Sequence, residues 1–206
     1  MEKILNCAER QFSARGYTAT PLRTIAAAAK VNQALIIYYF GSKEKLYQAV
    51  FLRRGLELTE KRLRLLEELQ SAKRGALAVE DLVQSFLYPA IQMLRQKSDG
   101  RDFLRLQARL HSEPSEITSK LRAAVYDKAT RIFIEKFKAA LPHIDAGAMV
   151  WRMTMMIGAY LYVISDPARL EQLSDGSCDA SDHEEMLRQF LSFFTGGFKA
   201  PLLKDD

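Results

Sequence analysis

The chain has 206 residues, of which 48% are hydrophobic and 27% are charged, and its formal net charge is +5. This composition is typical of a folded globular protein and excludes a disordered or collagen-like chain. Two distant cysteines, Cys7 and Cys178, exclude a disulfide framework and favour a reducing compartment. With no signal-peptide pattern, and with its longest apolar run (Met149 to Ile164) interrupted by Arg152, the sequence predicts a cytoplasmic protein without a membrane partner. We expect that apolar run to form a buried helix.

The positive charge is concentrated at the start of the chain. Residues 1–50 contain seven Lys or Arg and three acidic residues, whereas the remaining 156 residues are almost neutral. Such a basic end on a nearly neutral body suggests binding to a polyanion, although chance variation on a solvated surface would give the same count.

Four helices are predicted in the first 70 residues. Ile4, Leu5, Ala8 and Phe12 share one helical face, and Gly16 ends that helix. Thr20-Pro21 predicts a second helix with the threonine as N-cap and the proline at the first position. A third short helix runs from about Gln33 to Tyr39. Gly41 ends it, and Ser42 caps a fourth helix that reaches about Gln70 with a bend near Gly55.

The rest of the chain also shows helical periodicity, without strand or hairpin signals. A long segment after residue 165, SDPARLEQLSDGSCDASD, is expected to be a loop in which ARLEQL could form one helical turn. The sequence therefore predicts an all-α fold with about nine helices. The helices after the fourth are expected at about 79–97, 101–112, 115–141, 146–165 and 182–198.

The second and third helices are short and separated by about three residues, which is the layout of a helix-turn-helix unit. In such units the second of the two helices enters the DNA major groove, where Gln can bond an adenine edge and Ala or Leu can contact a thymine methyl group. Tyrosine hydroxyls, a lysine and the backbone N–H groups at a helix cap suit phosphate oxygens. The alternative is that the adjacent tyrosines only fill a three-helix core. The candidate DNA-binding residues are Thr20, Arg23, Gln33, Ala34, Leu35, Tyr38, Tyr39 and Lys43.

The segment TPLRTIAAAAKVNQALIIYYFGSKEKLYQAV resembles the DNA-binding part of the TetR family of bacterial transcriptional regulators. The resemblance implies a homodimer with a helix-turn-helix domain at residues 1–48, joined by a long helix to a helical ligand-binding and dimerisation domain at 49–206. It also implies that Thr20 and Lys43 contact phosphates, that Gln33 to Leu35 face bases, and that Tyr38 touches the DNA backbone. This chain has Ile37 where the family usually has a phosphate-binding tyrosine, so that role is lost there or taken by Tyr38. The sequence starts at the first helix, so we expect that any basic N-terminal arm is missing or lies outside it.

The segments WRMTMMIGAYLYVISDPARL and HEEMLRQFLSFFTGGF are similar to the C-terminal part of a TetR subgroup related to fatty-acid-responsive regulators. Methionine and aromatic side chains in the body could line a flexible apolar pocket, although each could equally be ordinary core. The candidate pocket residues are Phe86, Met93, Phe103, Leu106, Tyr126, Phe133, Met153, Met156 and Tyr160.

Two helices, at about 146–165 and 182–198, are expected to form a four-helix bundle with their copies in a homodimer. The second carries more apolar surface than one helix can bury within its own chain. The resemblance points to the same two helices. The candidate interface residues are Met186, Phe190, Phe193 and Phe194.

These features together predict a ligand-responsive transcriptional repressor that binds an inverted-repeat operator in double-stranded DNA and is released by a small hydrophobic effector. A fatty acid and an acyl-CoA are the candidate effectors. A ligand-insensitive architectural DNA-binding protein is one alternative, and an all-helical enzyme is a weaker one, because none of the common catalytic motifs occurs. His111, His143 and His183 have no metal-ligand spacing, so neither a metal nor a cofactor is expected.

Overall fold

A computed structural model describes residues 1–73, 75–95 and 98–202, and all regular secondary structure in these ranges is helical. The all-α prediction is confirmed. Eleven α-helical segments occur there, more than the nine expected, because a π-helical segment at Ala123–Asp127 divides one long helix and because ARLEQL belongs to a short helix. The helices are α1 (Glu2–Arg15), α2 (Leu22–Ala29), α3 (Gln33–Phe40), α4 (Lys43–Ala72), α5 (Val79–Arg95), α6 (Ser98–Arg109), α7 (Ser115–Arg122), α8 (Lys128–Ala140), α9 (Ala146–Ser165), α10 (Pro167–Leu173) and α11 (His183–Lys199).

The predicted boundaries mostly agree with these helices. The helix expected at 79–97 is observed to Arg95, and its last two positions lie outside the described residues. The helix expected at 101–112 begins earlier, at Ser98, and ends at Arg109.

The helices fall into two compact units. Unit 1 comprises Met1–Thr59 and Met93–Lys128, and unit 2 comprises Glu60–Gln92 and Ala129–Asp206. The predicted boundary between a DNA-binding domain (1–48) and a ligand-binding domain (49–206) divides the chain by function. The two units are defined by packing, so this boundary stays a prediction.

Unit 1 is organised around α1, which packs against both α2 and α6. The apolar side chains of α1 recur at helical spacing, so Phe12 points inward and is fully buried. Its ring meets Tyr47 of α4 at 4.9 Å between centroids, and the Phe51 ring lies 5.0 Å from Tyr47. Phe51 in turn lies 5.7 Å from Phe103 of α6. This chain of aromatic contacts joins α1, α4 and α6 into one core.

Gly55 lets α4 approach the π-helical segment closely. A Cβ atom at this position would lie only 2.4 Å from Cγ1 of Val125, far inside the normal contact distance. The hydroxyl of Thr59, one turn later, donates a hydrogen bond to the Val125 carbonyl at 3.2 Å. The hydrogen-bonding pattern of the π segment is therefore supplemented by a side chain of α4.

Unit 2 has its own aromatic core. Phe86 of α5 contacts Phe133 of α8 at a centroid distance of 5.0 Å, and Phe137 stacks on Phe198 of α11 at 4.1 Å. The guanidinium of Arg152 donates hydrogen bonds to the carbonyls of Phe198 and Ala200, which satisfies C-terminal acceptors of α11.

The α9 helix is only partly buried, in contrast to the expectation of a buried helix. Its length and hydropathy would allow it to cross a membrane, a test that the core helix of a water-soluble protein can also pass, and 39% of its most apolar window is buried. Trp151, Met155 and Tyr162 are each more than 60% exposed. They follow one another at helical spacing, so α9 has one face in the core and one apolar face outside it.

Candidate functional site

The turn between α2 and α3 is built from local backbone features. Lys30 ends α2 in the left-handed conformation, with φ 54° and ψ 48°. The Asn32 side chain then accepts a hydrogen bond from the Ala34 amide at 2.9 Å and acts as the N-cap of α3. Asparagine is among the best N-cap residues. These two residues fix the angle at which α3 leaves the turn.

Thr20 does not cap α2, so that prediction is wrong. Pro21 occupies the N-cap position without a side-chain hydrogen bond. Thr20 is fully buried, and its hydroxyl donates to the Gly16 carbonyl at 2.7 Å. Because it is buried, the Thr20 side chain is not at the surface where a phosphate contact was predicted. Its hydroxyl instead stabilises the α1–α2 connection.

The α3 helix is apolar and yet mostly exposed. Ile36 is its one buried residue, whereas Tyr38 is 81% exposed and Leu35 and Ile37 are about 40% exposed. Since solvent-exposed helices normally carry charged side chains, an uncharged exposed helix indicates a contact surface. Gln33, Ala34 and Tyr39 are exposed on the same helix. The alternative that the two tyrosines fill a core is not supported.

The α3–α4 junction presents further polar groups. Gly41 ends α3 with φ 76°, a conformation that glycine adopts without strain. Ser42 accepts the Lys45 amide at 3.1 Å, which confirms the predicted cap of α4. Lys43 lies over the Tyr17 ring at 4.4 Å and donates to the Thr18 carbonyl at 3.3 Å. Partial burial lowers the pKa of Lys43, and the nearby charge of Glu113 opposes this effect.

Unit 1 also exposes basic side chains on the helices before and after α3. The predicted contact residue Arg23 is exposed on α2, as are Arg10 and Arg15 of α1 and Lys45 of α4. The structure therefore places seven of the eight predicted DNA-binding residues at least partly at the surface, and it buries Thr20.

An ion pair joins α1 to α4, and hydrogen bonds join the end of α1 and the following loop to residues 109 and 113. Arg53 of α4 contacts Glu9 of α1 at 2.8 Å, and burial raises the pKa of this carboxyl despite the two neighbouring arginines. The Glu113 carboxylate accepts the Tyr17 amide at 2.7 Å, and Arg109 donates to the Ser13 carbonyl at 2.8 Å. The α1–α2 connection is thus anchored to the segment around the end of α6.

The nine predicted pocket residues do not form a single cluster within one unit. Phe86, Phe133, Met153, Met156 and Tyr160 belong to unit 2, and the other four belong to unit 1. Two cavities of unit 2, of about 310 and 250 Å³, lie beside α4 and α8 and share Gln70 and Lys136. None of the nine residues lines either cavity. The pocket assignment stays a prediction.

Sequence analysis missed one buried charged residue, Arg62 of α4, which is only 3% exposed. Its Nε donates to the Phe86 carbonyl at 2.7 Å and its Nη2 to the Tyr160 hydroxyl at 3.0 Å. A signal was present, because Arg62 stands midway between Leu58 and Leu66 at a spacing of four residues, which is the spacing of a buried helical stripe.

Of the four predicted interface residues, three are covered within the chain itself. Met186, Phe190 and Phe194 recur every four residues on α11 and are each less than 9% exposed, whereas Phe193 is 73% exposed. The large apolar side chains of this helix pair that are more than 60% exposed are Phe193 of α11 and Trp151, Met155 and Tyr162 of α9. We call these four residues the α9–α11 face.

Known families match both ends of the chain. The family described as "Bacterial regulatory proteins, tetR family" matches residues 4–50, and the one described as "Tetracyclin repressor-like, C-terminal domain" matches residues 84–197, more than half of the chain.

Similar curated proteins align with this chain over short lengths. The HTH-type transcriptional repressor NicS from Pseudomonas putida is 38% identical over 80 residues, which are 37% of this chain and 38% of that protein. The HTH-type transcriptional repressor Rv3405c from Mycobacterium tuberculosis is 45% identical over 56 residues, or 27% and 30% of the two chains. The chain thus spans less than two fifths of the length of these relatives.

Solved structures match nearly the whole chain at low identity. The hemolysin II transcriptional regulator HlyIIR superposes with a TM-score of 0.65 and 20% identity, covering 94% of this chain and 96% of that one. The regulator PfmR from Thermus thermophilus gives 0.64 and 17%, with coverage of 96% and 99%. At identities this low, the superpositions show a shared fold and not a shared function. The matches of both family descriptions, together with this fold, show that the chain belongs to the TetR family of bacterial regulatory proteins.

Proposed function

We propose that the protein is a ligand-responsive transcriptional repressor that acts in the cytoplasm and binds double-stranded operator DNA through α3. The observation that carries this proposal is an uncharged helix exposed beside basic residues of α1, α2 and α4. Gln33, Ala34 and Leu35 stand at the start of α3, where recognition helices contact base edges. Tyr38, which is 81% exposed, and Lys43 at the next junction suit phosphate contacts.

A homodimer would present two such helices to an inverted repeat, since a two-fold protein axis imposes the same symmetry on its operator. The α9–α11 face supports this assembly. Its four apolar side chains are each more than 60% exposed in the described part of the chain, whereas monomeric proteins rarely expose extensive apolar surface. The predicted four-helix bundle is therefore retained as a proposal, with contact residues revised to Trp151, Met155, Tyr162 and Phe193.

Release from DNA by a small hydrophobic effector is the remaining part of the proposal. The effector would favour a conformation in which the two DNA-binding domains no longer match successive major grooves. A 100-fold loss of operator affinity requires a coupling free energy of only about 2.7 kcal/mol. The contacts from Arg109 and Glu113 to the α1–α2 connection could transmit such a change inside unit 1, because they join α6 and its following loop to the DNA-binding end.

The test is selection of bound genomic fragments followed by binding titrations at several salt concentrations. We expect an inverted repeat, bound by a dimer, with affinity that falls steeply as salt rises. Gln33→Ala should relax the preference at one base position by roughly 1–3 kcal/mol, while Tyr38→Phe and Lys43→Ala should weaken binding to all sequences alike. Lys128→Ala, an exposed lysine of α8, is the matched control. Length-dependent binding without any preferred sequence would favour the architectural alternative.

A further inference from the structure

Arg62 occupies an aromatic environment in the interior of unit 2. Its guanidinium carbon lies 3.8 Å from the centroid of the Phe86 ring and 5.6 Å from that of Tyr160. Phe133 closes on the Phe86 ring at 5.0 Å. The guanidinium therefore lies over the Phe86 ring and donates hydrogen bonds to the Phe86 carbonyl and the Tyr160 hydroxyl.

The charge of Arg62 has no counter-ion among the described residues. No Asp or Glu carboxylate there lies within ion-pair distance of it, and both of its hydrogen-bond acceptors are neutral. A guanidinium keeps its proton in proteins, so the side chain cannot avoid the cost of burial by becoming neutral. Burying an unpaired cation is strongly unfavourable, and cation–π contact offsets only part of the cost.

A purely structural role explains the hydrogen bonds but not the charge. Pro89 lies inside α5 and has no N–H, so the carbonyl of Ser85, four residues earlier and next to Phe86, lacks its regular helical donor. Arg62 could supply a donor to the Phe86 carbonyl at this point. A neutral glutamine or tryptophan could do the same without a buried charge, so this role alone leaves the choice of arginine unexplained.

We propose that Arg62 binds the carboxylate of an organic acid whose apolar part packs among the aromatic and methionine side chains of unit 2. This inference rests on the proposed ligand response and names the chemical class of the effector. A guanidinium has five N–H donors, of which the two described hydrogen bonds use two, so donors remain for a planar carboxylate. One buried positive charge matches a monoanion and not a doubly charged phosphate. An ester or thioester carbonyl would leave the charge unpaired.

Tyr160, which contacts Arg62, lies on a helix whose buried side chains suit an adaptable apolar tail. Met153, Met156 and Tyr160 share one face of α9 by their spacing and are all almost fully buried. Methionine side chains adjust their shape to irregular ligands because they are unbranched and flexible. The site would therefore select the acid group strictly and the tail loosely.

Calorimetric titration of the full chain without DNA tests the inference. Octanoate and octan-1-ol share one tail and differ in head group, octyl phosphate adds a doubly charged head, and benzoate with benzyl alcohol forms a second acid–alcohol pair. We expect at least tenfold tighter binding of one acid than of its alcohol, and weaker binding of octyl phosphate than of octanoate. Absence of an acid preference in both pairs, or a preference for the phosphate, would overturn the inference.

Variants locate the site. Arg62→Gln should abolish the acid preference, whereas Arg64→Gln, an exposed arginine two residues along α4, should leave it unchanged. Arg62→Lys keeps the positive charge but lacks the planar guanidinium, so it should reduce the preference for the acid over its alcohol. This variant still tests the site if the glutamine variant does not fold. An acid preference that persists in these Arg62 variants places the anion elsewhere and contradicts the inference. Operator binding is measured separately without acid, so its loss would count against the proposed function and not against this site.

Discussion

The α9–α11 face allows a quantitative test of dimer formation. Trp151 is 67% exposed in the isolated chain. A tryptophan buries up to about 250 Å², so covering its exposed part in a dimer would remove about 170 Å² from water, worth at most ~4 kcal/mol at 25 cal/mol per Å² for each of the two copies in the dimer. Ordering costs reduce this gain. We therefore expect Trp151→Ala to weaken dimerisation by about 2–4 kcal/mol, or roughly 30- to 1000-fold in dissociation constant.

Sedimentation velocity over a concentration series measures this change directly. Phe193→Glu should have an effect at least as large, because it would place two carboxylates in an apolar contact. Leu173→Glu is the matched control, since Leu173 is 66% exposed but belongs to α10, outside the α9–α11 face. If Trp151→Ala and Phe193→Glu remain dimers at concentrations where the unmodified protein does, the dimer uses another surface and our reasoning about this face is wrong.

Three further predictions concern stability, each measured by urea unfolding. Thr20→Val should lower the free energy of unfolding by about 1–3 kcal/mol, because it leaves a buried carbonyl without its donor, and it should not change the salt dependence of DNA binding; a changed salt slope would restore a phosphate role. Gly55→Ala should destabilise by about 1–3 kcal/mol despite a helix-propensity gain of ~1 kcal/mol, since its Cβ would overlap Val125; a stabilised variant would refute the close approach. The hydrogen bond from Lys199 lowers the pKa of Glu80, so this pair should stabilise the fold above the ordinary glutamate pKa and lose that effect as the pH falls through the lowered value. Since both groups are about half exposed, Glu80→Gln should cost less than ~1 kcal/mol at pH 7, and an equal cost at pH 3 would contradict the linkage.

Helix positions and the exposed aromatic pair could be predicted because they depend on local signals. Apolar periodicity defines a helix wherever one face is buried, and the Gly41-Ser42 junction marks a helix end by its backbone and capping chemistry. The run YYF could have been core or surface. Its placement outside the core was argued from the helix-turn-helix layout, a pattern longer than the run itself.

The errors arise at residues whose role depends on which other part of the chain packs against them. Thr20 has the sequence signal of an N-cap, yet its hydroxyl finds a carbonyl acceptor across the α1–α2 connection. Phe193 and Phe194 are adjacent and chemically identical, and only the packing of α11 against its own chain shows that Phe194 is already covered. Arg62 was missed because arginine is seldom buried, and its place in an apolar stripe was a weak signal beside that general tendency. Apolar periodicity predicts which face of a helix is buried, but it does not predict which element packs against that face.

The end of α11 has an unusual balance between local and tertiary stabilisation. Gly196 and Gly197 fall in its final turns, and each glycine costs a helix about 1 kcal/mol relative to alanine because of the backbone freedom it loses. No atom would meet a Cβ at either position within 4 Å, so crowding inside the chain does not require them.

Two tertiary contacts stabilise this end of the helix. Arg152 donates hydrogen bonds to the Phe198 and Ala200 carbonyls, which we call the Arg152 clamp, and Phe198 stacks on Phe137. Without that clamp the last turn has too little intrinsic propensity to persist, and we expect its amides to exchange with solvent almost as fast as those of an unstructured peptide. The two glycines also leave a strip of bare backbone next to Phe193. A second helix could come closer to this strip than to any part of α11 that carries large side chains.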